Sequence, residues 1–293
     1  MKNILIAGGT GFLGKYLVSF LVDRGYEVKL LTRNENNAVK NVSSYEWNIE
    51  KSFIDKKAFE GVDTIINLTG AAIGEKRWTK KRKQELLDSR LKSINLLYRY
   101  VSGNNLPIQT FISSSAVGFY GAVATNEIFT EESAEGNDFL SDICKQWEGA
   151  AQQFESIGAR VVILRKGVIM GKDSFFYKKT VPLAKLGINP AVGDGNQYIP
   201  WIDIRDLVNL YDFIIKYPQI EGVFNAVSSQ HLTMNEWAEI LLRNFKKRKL
   251  TPNVPDFVLK LIFGEMANMF LKGSRVSNRK IKELGFQFSF DKL

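Results

Sequence analysis

Near the start of the chain, Gly8-Gly9-Thr10-Gly11-Phe12-Leu13-Gly14 have the types and spacing to hold a phosphate-bearing ligand. Glycine makes a tight turn, lets the main chain approach a pyrophosphate, and allows a helix to pack closely on the strand before it. The first amides of that helix and its positive dipole end then face the anion. The Gly-x-x-Gly-x-x-Gly spacing gains weight from its context. It follows an apolar strand, Ile4 to Ala7, and opens a helix in which Phe12, Leu13, Tyr16, Leu17, Phe20 and Leu21 recur at helical period until Gly25. A second cue ends the next strand, Val28 to Leu31. An NAD site usually places a carboxylate there to hold the ribose 2′-hydroxyl, whereas this chain has Thr32-Arg33. A guanidinium suits a 2′-phosphate, which it grips with paired charge-assisted hydrogen bonds. The pair points to NADP(H) over NAD(H). A solvated arginine at a strand end is the ordinary alternative, and Glu35 close by is an acid that keeps the NAD reading open.

The elements that must position these residues alternate. Strand patterns at Ser44 to Trp47, Thr64 to Leu68, Phe111 to Ser113 and Val161 to Leu164 are separated by helical patterns over about 79–101 and 138–157. Strands and helices in this order predict an α/β protein with a Rossmann-type, doubly wound parallel sheet. Beyond residue 170 Pro182, Pro190, Gly193, Gly195 and Pro200 mark turns, and Thr233-Met234-Asn235-Glu236 has the spacing of a capping box opening a helix to about Phe245. The division expected is a dinucleotide-binding domain over 1–170, with 200–228 returning to it, and a smaller C-terminal substrate lobe from 171–199 and 229–293. The apolar stretch from Pro252 to Phe270 reads as core, pocket floor or subunit contact.

With 293 residues and 45% hydrophobic content, the chain can bury a substantial core. The short apolar run before the glycines is too brief for a signal peptide or a membrane span, and Cys144, the single cysteine, permits no internal disulfide. A cytoplasmic protein, monomeric or homodimeric, with no membrane partner is expected. The net charge of +9 concentrates in basic runs at 76–83 and 243–249, which read as solvated helix faces or an attraction for anions. No nucleic-acid motif accompanies them, so nucleic acid is not an expected partner. His231 is the only histidine, which leaves almost no support for a histidine triad or a metal cluster, and no metal is expected.

Further motifs extend the comparison: Asn67-Leu68-Thr69-Gly70-Ala71, the run from Ser113 to Gly121, and Leu164-Arg165-Lys166-Gly167-Val168-Ile169-Met170-Gly171. With Lys76-Arg77-Trp78-Thr79, Asp88-Ser89-Arg90, Trp201-Ile202-Asp203 and Gly264-Glu265-Met266-Ala267, the chain resembles an atypical extended short-chain dehydrogenase/reductase, in the subgroup called epimerase family proteins and described as SulA-like nucleoside-diphosphate-sugar epimerases. The resemblance runs from Met1 to about Phe290. It implies that Gly8, Thr10, Gly11, Phe12, Leu13 and Gly14 hold the pyrophosphate and that Thr32 and Arg33 hold the adenosine phosphate. It also implies that Leu68, Thr69 and Gly70 line the cofactor, with Glu85 and Arg90 as further contacts. The nicotinamide end then lies near Ser113, Ser115, Val168 and Ile169.

Such enzymes use a Tyr-x-x-x-Lys pair, whose spacing puts both side chains on one helical face so that the ammonium lowers the phenol's pKa. Aligning Glu148 with the later glutamate of that helix puts Leu140 and Cys144 at the two positions. Lys145 is one residue off, roughly 100° around the helix. Ser115 falls where the family's catalytic serine sits, and Tyr120 is the nearest phenol in sequence. The expectation is an NADP(H)-dependent oxidoreductase, or an epimerase-like enzyme, of a carbonyl or hydroxyl substrate that could be a sugar nucleotide. Ser115 would polarise the substrate oxygen and Tyr120 would replace the missing acid. The rival expectation is an NADP(H)-binding sensor without turnover.

Overall fold

Apolar runs bounded by glycine and polar turns become the strands of one sheet. The structure, a computed structural model, describes residues 2–33, 39 and 42–293. Strands β1 (Asn3–Ala7), β2 (Glu27–Thr32), β3 (Ser43–Asn48), β4 (Phe53–Ile54), β5 (Thr64–Asn67), β6 (Thr110–Ala116), β7 (Arg160–Lys166) and β8 (Gly222–Ala226) form an eight-stranded sheet. Their spatial order is β8-β7-β6-β5-β1-β2-β3-β4, parallel except for the antiparallel β3–β4 edge. The direction of winding reverses between β1 and β5, and in open α/β sheets ligands bind in the crevice at such a switch point.

The helices are α1 (Phe12–Asp23), α2 (Lys80–Gly103), α3 (Phe139–Gln152), α4 (Phe175–Lys185), α5 (Ile204–Lys216), α6 (Met234–Asn244) and α7 (Asp256–Phe263). Side-chain alternation along β1 decides which helix each residue meets. Ile4 and Ile6 pack with Leu17 and Leu21 of α1 and with Leu207 and Leu210 of α5. Leu5 and Ala7 point the other way, into the layer of Leu97 on α2 and Trp147 and Ala151 on α3. Because both faces are covered, the inner strands read as near-continuous apolar runs.

A separate core gathers Met170, Ala184, Trp201, Trp237 and Leu241. Helix α6 starts with both halves of its capping box: the Thr233 hydroxyl accepts from the Glu236 amide at 3.2 Å, and the Thr233 amide donates to the Glu236 carboxylate at 2.8 Å. The segment Trp201–Asp203 pairs in parallel with Val168–Met170, joining this core to the end of the main sheet. The sequence division groups all of 229–293 in the second lobe, but the C-terminal end departs from it. Ile281 and Phe286 lie in the first core, and Asp206 of α5 accepts the amides of Ser289 and Phe290 at 2.9 and 2.8 Å. The apolar 252–270 stretch divides as well: Met266 packs on Trp78 and Leu86, while Phe257 and Leu261 of α7 remain 70% and 76% exposed.

Candidate functional site

The glycine loop connects β1 to α1 beside the switch point. Gly8 has φ +85°, and a methyl group built there would meet the Leu68 carbonyl carbon at 3.0 Å. At Gly14 the same methyl would come within 2.5 Å of the carbonyl oxygens of both Gly8 and Gly9. Side chains at these positions would fill the cradle. Helix α1 begins after Gly11, which offers no side-chain cap, so the first amides stay open to an external acceptor. The residues present therefore fit a pyrophosphate.

Around this loop stand the other residues read from the sequence. Thr32 is buried at the end of β2 and Arg33 beyond it is exposed; Glu35 lies outside the described residues. Thr69 donates its hydroxyl to Asn67 at 2.6 Å and shares a hydrogen bond with Ser93 of α2, which holds the turn after β5. Gly70 passes over Arg90, whose guanidinium donates to the carbonyls of Leu86 and Ala71 at 2.8 and 3.2 Å and lies over the Trp147 ring. Arg90 thus shapes the 70–71 turn. Glu85 is exposed and ion-paired with Arg82 at 2.7 Å. Phe12, Leu68 and Ile169 pack against the same core, and a methyl on Gly171 would touch the Phe12 ring at 3.3 Å. The segment after β7 therefore folds back to the mouth of the glycine loop.

At the ends of β6 and β7 the two sheet faces carry different networks. On the α3 face Ser115 donates to Glu148 at 2.6 Å, and Arg165 grips the same carboxylate at 2.9 and 2.8 Å. Arg165 also donates to the Tyr120 hydroxyl at 3.1 Å, and Tyr120 donates to Asn225 of β8 at 2.7 Å. On the opposite face Ser114 shares a hydrogen bond with Tyr211 of α5 at 3.2 Å, and Lys166 donates to Ser114 at 2.8 Å. Ser113 is buried and donates to the Ser114 carbonyl.

These placements bear on two sequence expectations. Tyr120 is 2% exposed, with its hydroxyl held by Asn225 and Arg165. Burial raises its pKa, so it is neither accessible nor a stronger acid than a free phenol. Ser115 is 1% exposed and donates its proton to Glu148. Helix α3 starts after Asp138, whose carboxylate accepts from the Ser141 amide, and it carries Leu140 and Cys144 against the short 3₁₀ turn Val117–Tyr120. The Cys144 thiol is buried and pushed up to about 12, first by desolvation and then by the Glu148 charge. Lys145 pairs with Glu135 at the surface. The sequence reading missed Glu148, Arg165 and Lys166 as site residues. Their available signal was a pair of cations, Arg165-Lys166, closing a strand that is otherwise apolar from Val161.

A glycine cradle at the switch point of this sheet, with a second core grafted beyond β7, defines an extended short-chain dehydrogenase/reductase fold. Residues 4–226 match the NAD dependent epimerase/dehydratase family, and the chain belongs to it. Residues 254–293 match a domain of unknown function, DUF1731. An epimerase family protein of Staphylococcus aureus (strain MRSA252) is 34% identical over 296 residues, covering 100% of this chain and 97% of its own. A chloroplastic SDR39U1 homolog of Arabidopsis thaliana, also an epimerase family protein, is 31% identical over 98% of this chain and 83% of its own. The crystal structure of human epimerase family protein SDR39U1 with NADPH superposes with a TM-score of 0.87 at 28% identity, covering 99% of this chain and 96% of that one. Among the described residues no helix is long and apolar enough to cross a membrane, and no group of His, Cys, Asp or Glu could hold a metal ion.

Proposed function

We propose that the protein is an NADP(H)-dependent oxidoreductase of carbonyl or hydroxyl substrates, a class that includes sugar nucleotides. The observation that carries this reading is Arg33 standing exposed at the end of β2, next to a glycine cradle that a single methyl group would block. The NADPH in the human SDR39U1 crystal structure supports the same choice. In this reading Gly8, Thr10, Gly11, Phe12, Leu13 and Gly14 hold the pyrophosphate, and Thr32 and Arg33 hold the 2′-phosphate. Leu68, Thr69, Gly70, Ser113 and Ile169 line the path of the nicotinamide half, which supplies a hydride when bound. Arg90 orders the Gly70 turn, Glu85 flanks it through Arg82, and Ser115 steadies Glu148. Residues 171–199 and the segment from 229 supply the substrate wall. The buried, unpaired Cys144 supports a reducing compartment, the cytoplasm, and we assign a monomer or homodimer.

A second reading, an NADP(H) sensor without turnover, draws on Leu140 and Cys144 at the positions of the usual acid–base pair. NADPH oxidation across a panel of carbonyl compounds separates the two. Substrate-dependent oxidation supports the enzyme. Dinucleotide-sensitive capture of another protein, with no oxidation, supports the sensor.

A further inference from the structure

Lys166 is the last residue of β7 and lies opposite Ala116 of β6. Alternation along the strand turns Arg165 toward α3 and Lys166 toward the face of α1 and α5. Its ammonium donates to Ser114, which in turn meets Tyr211; Ser114 and Tyr211 are fully buried, whereas Lys166 keeps partial exposure at the crest of the sheet. The chain after Lys166 returns through Ile169 and Gly171 to Phe12, so the lysine stands on the same crest as the glycine loop. Arg33 follows β2 on one side of β1, and Lys166 ends β7, three strands away on the other side. A dinucleotide laid across that crest with its adenosine phosphate at Arg33 carries its nicotinamide toward β6 and β7. The groups around the lysine are Arg90 from α2, Cys144 from α3, and Ser114 and Tyr211 beneath it. Burial, then the Arg90 charge, push its pKa down to about 7.

We propose that Lys166 is the proton-exchanging group at the nicotinamide end of the cleft, replacing the pair lost at Leu140 and Cys144, with Ser114, itself bonded to Tyr211, holding its ammonium in place. This rests on the NADP(H) reading above. In the direction of reduction the substrate carbonyl carbon gains a hydride, one proton and two electrons, from the reduced nicotinamide, and the C=O π bond breaks. The carbonyl oxygen takes its proton from the Lys166 ammonium. The products are an alcohol, the oxidised dinucleotide and a neutral lysine, which recovers a proton from water at its own exposed edge.

The test compares NADP+ and NADPH binding to the whole protein between pH 6 and pH 8 by tryptophan fluorescence. Both forms carry the same phosphates, so the ratio of their Kd values isolates the positive charge of the oxidised ring. An ammonium repels that ring and a neutral amine does not, so the NADP+/NADPH Kd ratio should rise about tenfold from pH 8 to pH 6. Lys166→Met should leave the ratio flat and low. Lys166→Arg should leave it flat and high, and NADPH binding by each variant reports that its site is folded. A wild-type ratio that ignores pH, or a Lys166→Met ratio that follows the wild type, overturns the proposal while leaving the cofactor reading intact. Failure of the wild type to bind either form removes both. With 9,10-phenanthrenequinone as carbonyl probe and NADPH as donor, Lys166→Met should lower kcat about 100-fold and abolish the fall in rate above pH 7. An unchanged rate and profile in that variant also overturns it.

Discussion

Arg165 and Glu148 form a two-point ion pair, 2.9 and 2.8 Å, between β7 and α3, with only 5% and 7% of the two side chains exposed. Ser115 adds a third hydrogen bond to the same carboxylate, and Phe119 stacks on the guanidinium at 3.4 Å. Removing one partner strands a buried charge, so Arg165→Met should destabilise the fold by about 3–5 kcal/mol, read by urea unfolding. A loss under 1 kcal/mol would mean that the pair is solvated in solution.

The cradle is sterically closed at Gly14. Gly14→Ala places a methyl 2.5 Å from two carbonyl oxygens, and the overpacking should cost roughly 1–3 kcal/mol at the loop. Dinucleotide affinity should fall about 10- to 100-fold by fluorescence titration while circular dichroism stays that of the wild type. Affinity within twofold of wild type would argue that the ligand binds elsewhere.

At Arg33 the expectation is selectivity. Arg33→Ala removes a charged hydrogen-bond donor worth about 1.5–3 kcal/mol, so NADPH binding should weaken at least tenfold and NADH binding should hardly change. Equal losses for the two dinucleotides would remove the 2′-phosphate assignment.

Cys144 tests the α3 packing. With its pKa raised to about 12, the thiolate fraction at pH 8 is roughly one in ten thousand. The native protein should resist Ellman's reagent for hours at that pH, and it should release one equivalent of thionitrobenzoate once unfolded in guanidinium chloride. Rapid reaction of the native protein would show that the wall between the 3₁₀ turn and α3 opens.

Helix α6 offers a local check. Thr233→Ala deletes the hydroxyl half of its capping box and should cost about 1 kcal/mol in chemical unfolding, with dinucleotide affinity unchanged.

The strand–glycine–helix unit, the alternation of strands and helices, and the capping box were legible in the sequence because each is written in near neighbours. Ile4 to Gly14 specify a strand, a turn that excludes side chains and a helix start with no distant partner needed. The absence of a tyrosine–lysine pair on α3 was equally local, since side chains three or four residues apart share one helical face. Which partners Ser115, Tyr120 and Lys166 meet was decided only by tertiary structure. Ser114 and Ser115 are consecutive, yet strand alternation sends one to Tyr211 and the other to Glu148, 97 and 33 residues away. A hydroxyl's availability depends on which partner the fold brings to it. Tyr120 looked free in sequence and is consumed by Asn225 and Arg165, whereas Lys166, unremarkable at the end of a strand, is set on the crest among buried hydroxyls and a second cation. Local spacing determined the cradle, and long-range packing decided which partners the polar side chains beside it meet.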